Sequence, residues 1–220
     1  SWFDFEEKEG DRLLLEAMQE CTARYGETVL YSNARYEYMT ERMYRILKRT
    51  IRTLKEQLGA GVFVPSAFEL SFSRVEDPDA VDIALSPEER MKLKGRIDRV
   101  DTYEDENHVY VKVIDYKSGS HKFDLAAVYY GLQLQLVVYM KVAAKLEQSR
   151  HPDKEIVPAA LLYYHVSDPM IVADKELTEE ELNREIQKQL RMTGVVSAKE
   201  QVISLLDGDF TDKSLVIPVE

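Results

Sequence analysis

The chain has 220 residues, with 29 Lys and Arg against 40 Asp and Glu, a formal net charge of −11 and one cysteine. Its 45% apolar and 31% charged residues suit a folded domain with a substantial core and exclude a disordered chain. Cys21 has no second cysteine, which excludes a disulfide scaffold and a zinc or iron–sulfur site built from these residues, and suits a reducing cytosolic compartment. The acidic balance also excludes a generic basic coat for nucleic acid, so any such role must be local. The start, Ser1 to Glu7, is acidic, is not a signal peptide and has no initiator Met, which reads as a piece cut from something larger.

Leu13, Leu14, Leu15, Ala17 and Met18 predict a first helix over 11–25, closed by Gly26 as a left-handed C-terminal residue. A second runs from Ala34 to Leu58, where Tyr36, Met39, Met43, Ile46, Leu47, Ile51, Leu54 and Leu58 recur at steps of three and four. Arg42, Arg45, Lys48, Arg49, Arg52 and Lys55 lie largely off that stripe, giving either a solvated face or a surface that tracks phosphates through Arg45, Arg49 and Arg52. After Gly59 and Gly61 come strand-like runs at Phe68–Phe72, Val81–Leu85, Leu93–Tyr103 and His108–Lys117, the last two joined as a hairpin across Glu104–Asn107. A turn at Ser118–Ser120 precedes a long apolar helix from Leu125 to Ala144 capped by Asp124; Gln133, Gln135 and Lys141 make it a buried helix rather than a membrane span. Val157–Val166 reads as a central strand, Thr178–Leu190 as a helix opened by a capping box, Ala198–Leu206 as a shorter helix and Ser214–Val219 as a last extended piece. The expected class is α/β with a helical lead-in.

Alternation along His108–Lys117 places Val109, Val111, Val113, Asp115 and Lys117 on one face, so an apolar stripe ends in a carboxylate and an ammonium. The hairpin brings Asp98, from the run Gly95–Asp101, within reach of Asp115. Two facing carboxylates repel, and their proximity makes sense around a divalent cation such as Mg²⁺, with the lysine orienting or deprotonating a water or neutralising charge at the reacting phosphate. The alternative is two surface aspartates paired with Arg96 and Arg99 and a plain Asp115–Lys117 ion pair. Gln135 and Tyr139, one turn apart, share a helix face; they would either serve this site or bond only to backbone.

Taken together, Gly95–Asp101, Val113–Gly119 and Gln135–Tyr139 resemble the PD-(D/E)xK nucleases of the RecB type. With Lys94, Val128–Leu136, Phe63–Pro65 and Glu69 added, the resemblance narrows to the nuclease domain of the AddB family, the B subunits of bacterial helicase–nucleases. It implies a restriction-endonuclease-like core, a central mixed sheet flanked by helices, with a lead-in over 1–62, a core over 63–176 and C-terminal helices and a final strand of the same domain over 177–220. The implied activity is Mg²⁺-dependent (Mn²⁺ substituting) exonucleolytic cleavage of single-stranded DNA during double-strand-break processing beside an AddA-type helicase–nuclease subunit, in the cytoplasm and away from any membrane. Asp98, Asp115 and the Tyr116 backbone carbonyl would hold the metal, Lys117 would be the catalytic lysine, Gln135 and Tyr139 the Q-x-x-x-Y pair, and Glu69 an acidic residue ahead of the core.

The sequence departs from that family in two ways. No His lies upstream of the Asp98 strand, the four being His108, His121, His151 and His165, and the cysteines that hold a 4Fe–4S cluster in family members are absent. These 220 residues alone are therefore expected to cut weakly or not at all. The rival readings are a non-catalytic module that keeps the nuclease fold to bind a partner subunit or DNA, and a stand-alone RecB-type exonuclease resembling Cas4.

Overall fold

The computed structural model of the chain describes residues 3–25, 34–72, 82–84, 88, 90–119, 122–210 and 212–219. Gly26, Ser120 and His121, and the ends Val81 and Leu85 of one strand-like run, lie outside the described residues. The elements are α1 (Glu7–Tyr25), α2 (Ala34–Gly59), β1 (Val64–Ser71), β2 (Asp82–Ala84), β3 (Arg90–Lys92), β4 (Arg96–Glu104), β5 (His108–Lys117), α3 (Leu125–Tyr129), α4 (Gln135–Arg150), β6 (Glu155–His165), α5 (Glu179–Gln189), β7 (Thr193–Val196) and α6 (Glu200–Leu206). They divide into two units, one of residues 1–59 with 166–190 and one of 60–165 with 191–220. The lead-in expected over 1–62 thus shares its unit with the segment that carries α5.

The first unit is helical. α1 begins a turn earlier than its apolar residues suggest, because the Glu6 carbonyl accepts from the amides of Glu9 and Gly10 at 3.0 Å each and Glu7 and Glu9 suit the positive end of a helix. α5 opens with the expected capping box: the Glu181 amide donates to Thr178 Oγ1 at 3.2 Å and the Thr178 amide to Glu181 Oε2 at 2.9 Å. Gln57 on α2 donates to the Leu190 carbonyl at 3.1 Å.

The second unit is built on a five-stranded sheet in the order β1-β4-β5-β6-β7, antiparallel except for the β5–β6 pair. That parallel pair needs a crossover, and α4 supplies it. Ile97, Val100, Val109, Val111 and Val113 of the sheet pack with Leu136, Met140, Val142 and Ala143 of α4 in one core cluster, so the apolar stripe expected on β5 is the part that joins the core with α4. The other sheet face is also covered, since Tyr110, Lys112 and Ile114 are buried as well. On that face Asp101 receives a bidentate pair from Arg99 at 2.6 and 2.7 Å and lies 2.9 Å from Lys112 Nζ.

Four segments differ from expectation. The helix expected over Leu125–Ala144 is broken into α3 and α4, with Gly131 at φ +77° in the left-handed region, where a Cβ is penalised. β1 starts at Val64, ahead of Phe68. β7, four residues with Gly194 among them, is too short to show a period. Residues 214–219 form bends instead of a strand, because Ser214 Oγ accepts from the amides of Val216 and Ile217 at 3.0 Å each and donates to Asp207 at 2.6 Å, a local alternative to strand pairing.

Candidate active site

The site forms where β4 and β5 leave their hairpin register. Arg99 pairs with Ile114, so Asp98 stands level with Asp115 one step further on, and residues opposite each other share a face. On the far side of β4, Phe68 pairs with Arg99 and Leu70 with Ile97, which sets Glu69 level with Asp98. On the far side of β5, Asp115 pairs with Tyr163 of β6. Gly95 explains the spacing Gly-x-x-Asp: a Cβ there would fall 2.3 Å from the Phe72 ring, and that ring meets Tyr139 edge-on at 5.9 Å. The glycine lets Phe72 wedge between the start of β4 and α4.

Asp115 is 2% exposed. Its Oδ1 accepts from Gln135 Nε2 at 3.0 Å, and Oδ2 lies 2.6 Å from Lys117 Nζ. That last contact is an ion pair by distance, but Oδ2 has no well-directed hydrogen-bond donor. Gln135 Nε2 also donates to the Tyr139 hydroxyl at 2.9 Å, and Lys117 Nζ donates to Gln135 Oε1 at 2.9 Å. Every polar atom of the Gln135 amide is thereby used, which the one-turn spacing of Gln135 and Tyr139 made possible. Lys117 Nζ also stands 5.2 Å from the centre of the Tyr163 ring. Burial pulls the Lys117 ammonium down, but Asp115 outweighs it and holds its pKa above the ordinary lysine value.

Asp98 is half-buried and accepts from the Tyr116 amide at 2.8 Å. Burial pushes its carboxyl above the usual range; the Tyr116 amide opposes this, and the Asp115 and Glu69 carboxylates add to it. Of the alternative reading, the Asp115–Lys117 ion pair is present, but the pairing of the aspartates with Arg96 and Arg99 fails on geometry. Arg96 Nη1 donates to Glu69 at 2.7 Å and Arg99 is spent on Asp101, so neither guanidinium neutralises Asp98 or Asp115. Two carboxylates in register, one of them with a buried oxygen whose single polar neighbour is the Lys117 ammonium in poor hydrogen-bond geometry, suit a divalent cation that keeps its other positions for water. Among the described residues no three His, Cys, Asp or Glu converge as a metal cluster; the side chains here that could hold a cation are the Asp98 and Asp115 carboxylates. A 4Fe–4S cluster does not fit this chain, whose one thiol, Cys21, is exposed.

Of the remaining sequence candidates, Glu69 is exposed, has a left-handed backbone at φ 50° and is bonded to Arg96. A non-glycine residue held there is strained. In the helical unit, Arg45 and Arg49 both bond Asp168, at 3.0 and 2.5 Å, and Arg52 pairs with Glu7, contacts that favour the solvated-face reading of α2. His108 bonds Asp105 at 3.0 Å, His151 lies near Glu147, and His165 contacts the Gly119 carbonyl and Thr193. Tyr163 was not anticipated. Its only sequence signal is position in an apolar run, and the parallel register that sets it beside Asp115 is not local information.

The sequence profile of the PD-(D/E)XK nuclease superfamily matches residues 4–212. Three curated relatives are named as B subunits of an ATP-dependent helicase/deoxyribonuclease. The protein of Lachnoclostridium phytofermentans is 40% identical over 229 residues, covering 100% of this chain and 18% of the relative. That of Thermoanaerobacter sp. is 35% identical over 218 residues, with 99% and 19% covered, and that of Clostridium novyi 38% identical over 217 residues, again with 99% and 19% covered. The chain thus spans under a fifth of the length of these relatives. By a match over nearly its whole length, the chain belongs to the PD-(D/E)XK nuclease superfamily.

Proposed function

We propose that the chain is the nuclease domain of a helicase–nuclease B subunit, cutting single-stranded DNA that an AddA-type partner helps unwind during the processing of double-strand breaks. The observation that carries this reading is the Asp98–Asp115 pair, left without arginine partners and locked to Lys117 through Gln135. Similarity to relatives named as helicase/deoxyribonuclease B subunits supports the assignment. A cytoplasmic setting suits that work. Among the described residues no helix is long and apolar enough to cross a membrane.

The reaction is hydrolysis: a water oxygen attacks the phosphorus in line, the bond to the leaving sugar oxygen breaks, and that oxygen takes up a proton. Mg²⁺, or Mn²⁺ in its place, would be held by Asp98, Asp115 and the Tyr116 carbonyl and would supply Lewis acidity at the phosphate and a more acidic water. Lys117, kept as an ammonium beside Asp115, orients the water and neutralises charge that develops on the phosphate oxygens. Gln135 fixes both side chains and hands its remaining N–H to Tyr139, so the three groups act from one geometry. Asp98 is set by the Tyr116 amide in the same way.

Calorimetric titration of the full chain with Mn²⁺ tests the reading. One site that weakens at least tenfold in Asp98→Ala supports it. Absence of binding, or binding unchanged by Asp98→Ala, returns the fold to a module that only binds a partner or DNA.

A further inference from the structure

The end of α3 and the turn that follows it carry a feature that the catalytic residues do not use. Tyr129 and Tyr130 are 84% and 75% exposed, the most exposed aromatic rings among the described large hydrophobics. They meet at 83° with ring centres 5.3 Å apart, so they form a corner with two open faces. The same segment also exposes Leu125, Leu132 and Leu134, so the rings stand in an open apolar patch whose backbone is nonetheless tied down at its base. The Asp124 carboxylate accepts from the amides of Ala126 and Ala127 at 2.8 and 3.2 Å. Gln133 accepts from the Asp124 amide at 3.1 Å and donates to the Lys122 carbonyl at 3.2 Å, closing the turn at its base. The turn then runs directly into Gln135, which touches Asp115 and Lys117.

We propose that Tyr129 and Tyr130 are a stacking platform for the bases of the single strand that feeds the Asp98–Asp115–Lys117 centre. The inference rests on the single-strand nuclease reading and extends it to how substrate is held. Five peptide units separate Tyr130 from Gln135, so their Cα atoms are at most about 19 Å apart, within a few nucleotides of the scissile phosphate. Bases are the occupant that matches the chemistry. Each has a face for an exposed tyrosine ring, stacking tolerates any sequence, and Lys122, exposed at the base of the same turn, gives the backbone a cation. A turn already pinned by Gln133 and Asp124 loses little freedom when a base settles on it. Because the rings are perpendicular, a given base lies flat on one of them and meets the edge of the other.

The test uses the full-length subunit assembled with its partner, with single-stranded oligodeoxynucleotides carrying 2-aminopurine at successive positions, binding measured in EDTA and cleavage in Mg²⁺. Wild-type protein quenches the probe at one or two positions. Tyr129→Ala and Tyr130→Ala lose quenching at one position each, weaken Kd about tenfold and raise KM while kcat holds. Their salt dependence is unchanged, because no phosphate contact is removed. Tyr129→Phe and Tyr130→Phe keep wild-type values, since the ring face remains. Alanine variants with wild-type Kd, quenching and KM overturn the platform while the nuclease reading stands. Alanine variants that bind DNA normally but no longer assemble show a protein interface and overturn it too. A wild-type assembly that cuts no single strand at all fails one level lower, at the nuclease reading.

Discussion

Gln135 donates to Asp115 at 3.0 Å while its own carbonyl accepts from Lys117 at 2.9 Å. One amide thus sets the distance between a carboxylate and an ammonium that belong to neighbouring positions of one strand. Without it, Asp115 and Lys117 would still attract, but their angle to a bound phosphate would be free.

Gln135→Ala should therefore lower cleavage about ten- to a hundredfold, as loss of a group that orients a ligand does. The same substitution should leave Mn²⁺ bound and the melting temperature within a few degrees of wild type. Single-turnover cleavage and thermal melting on one preparation check both. Wild-type cleavage would remove Gln135 from the site.

Two aspartates three residues apart should respond in opposite directions to the same change. Asp98 is destabilised as a charge by its burial and by Asp115 and Glu69, so Asp98→Asn in metal-free buffer should raise the melting temperature by about 2 °C. Asp101 sits fully buried between Arg99 and Lys112. Burial alone would raise its pKa, but the two cations outweigh it and hold it below the usual range. Asp101→Asn strands two buried cations, a loss of about 3 kcal/mol or more and a fall of roughly 10 °C. Differential scanning calorimetry of both variants in EDTA decides; shifts of one sign would refute this account of the two faces of β4.

The β4–β5 hairpin carries a pH-dependent lock. Asp105 Oδ1 accepts from the amides of Asn107 and His108 at 2.9 and 2.7 Å, and these bonds with the His108 ring bring its pKa down to about 2, against the opposing pull of desolvation. The folded value lies below the unfolded value of about 3.9. The unfolded chain therefore binds the proton first, and the stability Asp105 adds is complete above about pH 5 and lost as pH falls from about 4 to 2. The difference in urea midpoint between wild type and Asp105→Ala should shrink over that window. A difference constant from pH 5 to pH 2 contradicts this.

The convergence of Asp98, Asp115 and Lys117 is legible in sequence because each step is local, alternation along β5 and a short hairpin to β4. That Gln135 and Tyr139 share one face of α4 is legible too, but only the family resemblance implies that this face meets the site. The α/β class follows from the same periodicities, while the mixed sheet is implied by the resemblance. What is not legible depends on distant partners. The place of Tyr163 comes from a parallel pairing across the α4 crossover, and the partners of Arg96 and Arg99 depend on which face each meets. The break before α4 turns on the backbone of Gly131, which apolar periodicity overrides on paper. The left-handed Glu69 has no sequence signal, since glutamate is not a residue that favours that conformation.

The most direct measurement is cleavage of single-stranded DNA in Mg²⁺ by the full-length subunit assembled with its partner, comparing wild type with Lys117→Ala. The variant should cut that strand at least about a hundredfold more slowly, still bind Mn²⁺ between Asp98 and Asp115, and leave unwinding intact. Cutting of that strand at the wild-type rate by Lys117→Ala would contradict the account.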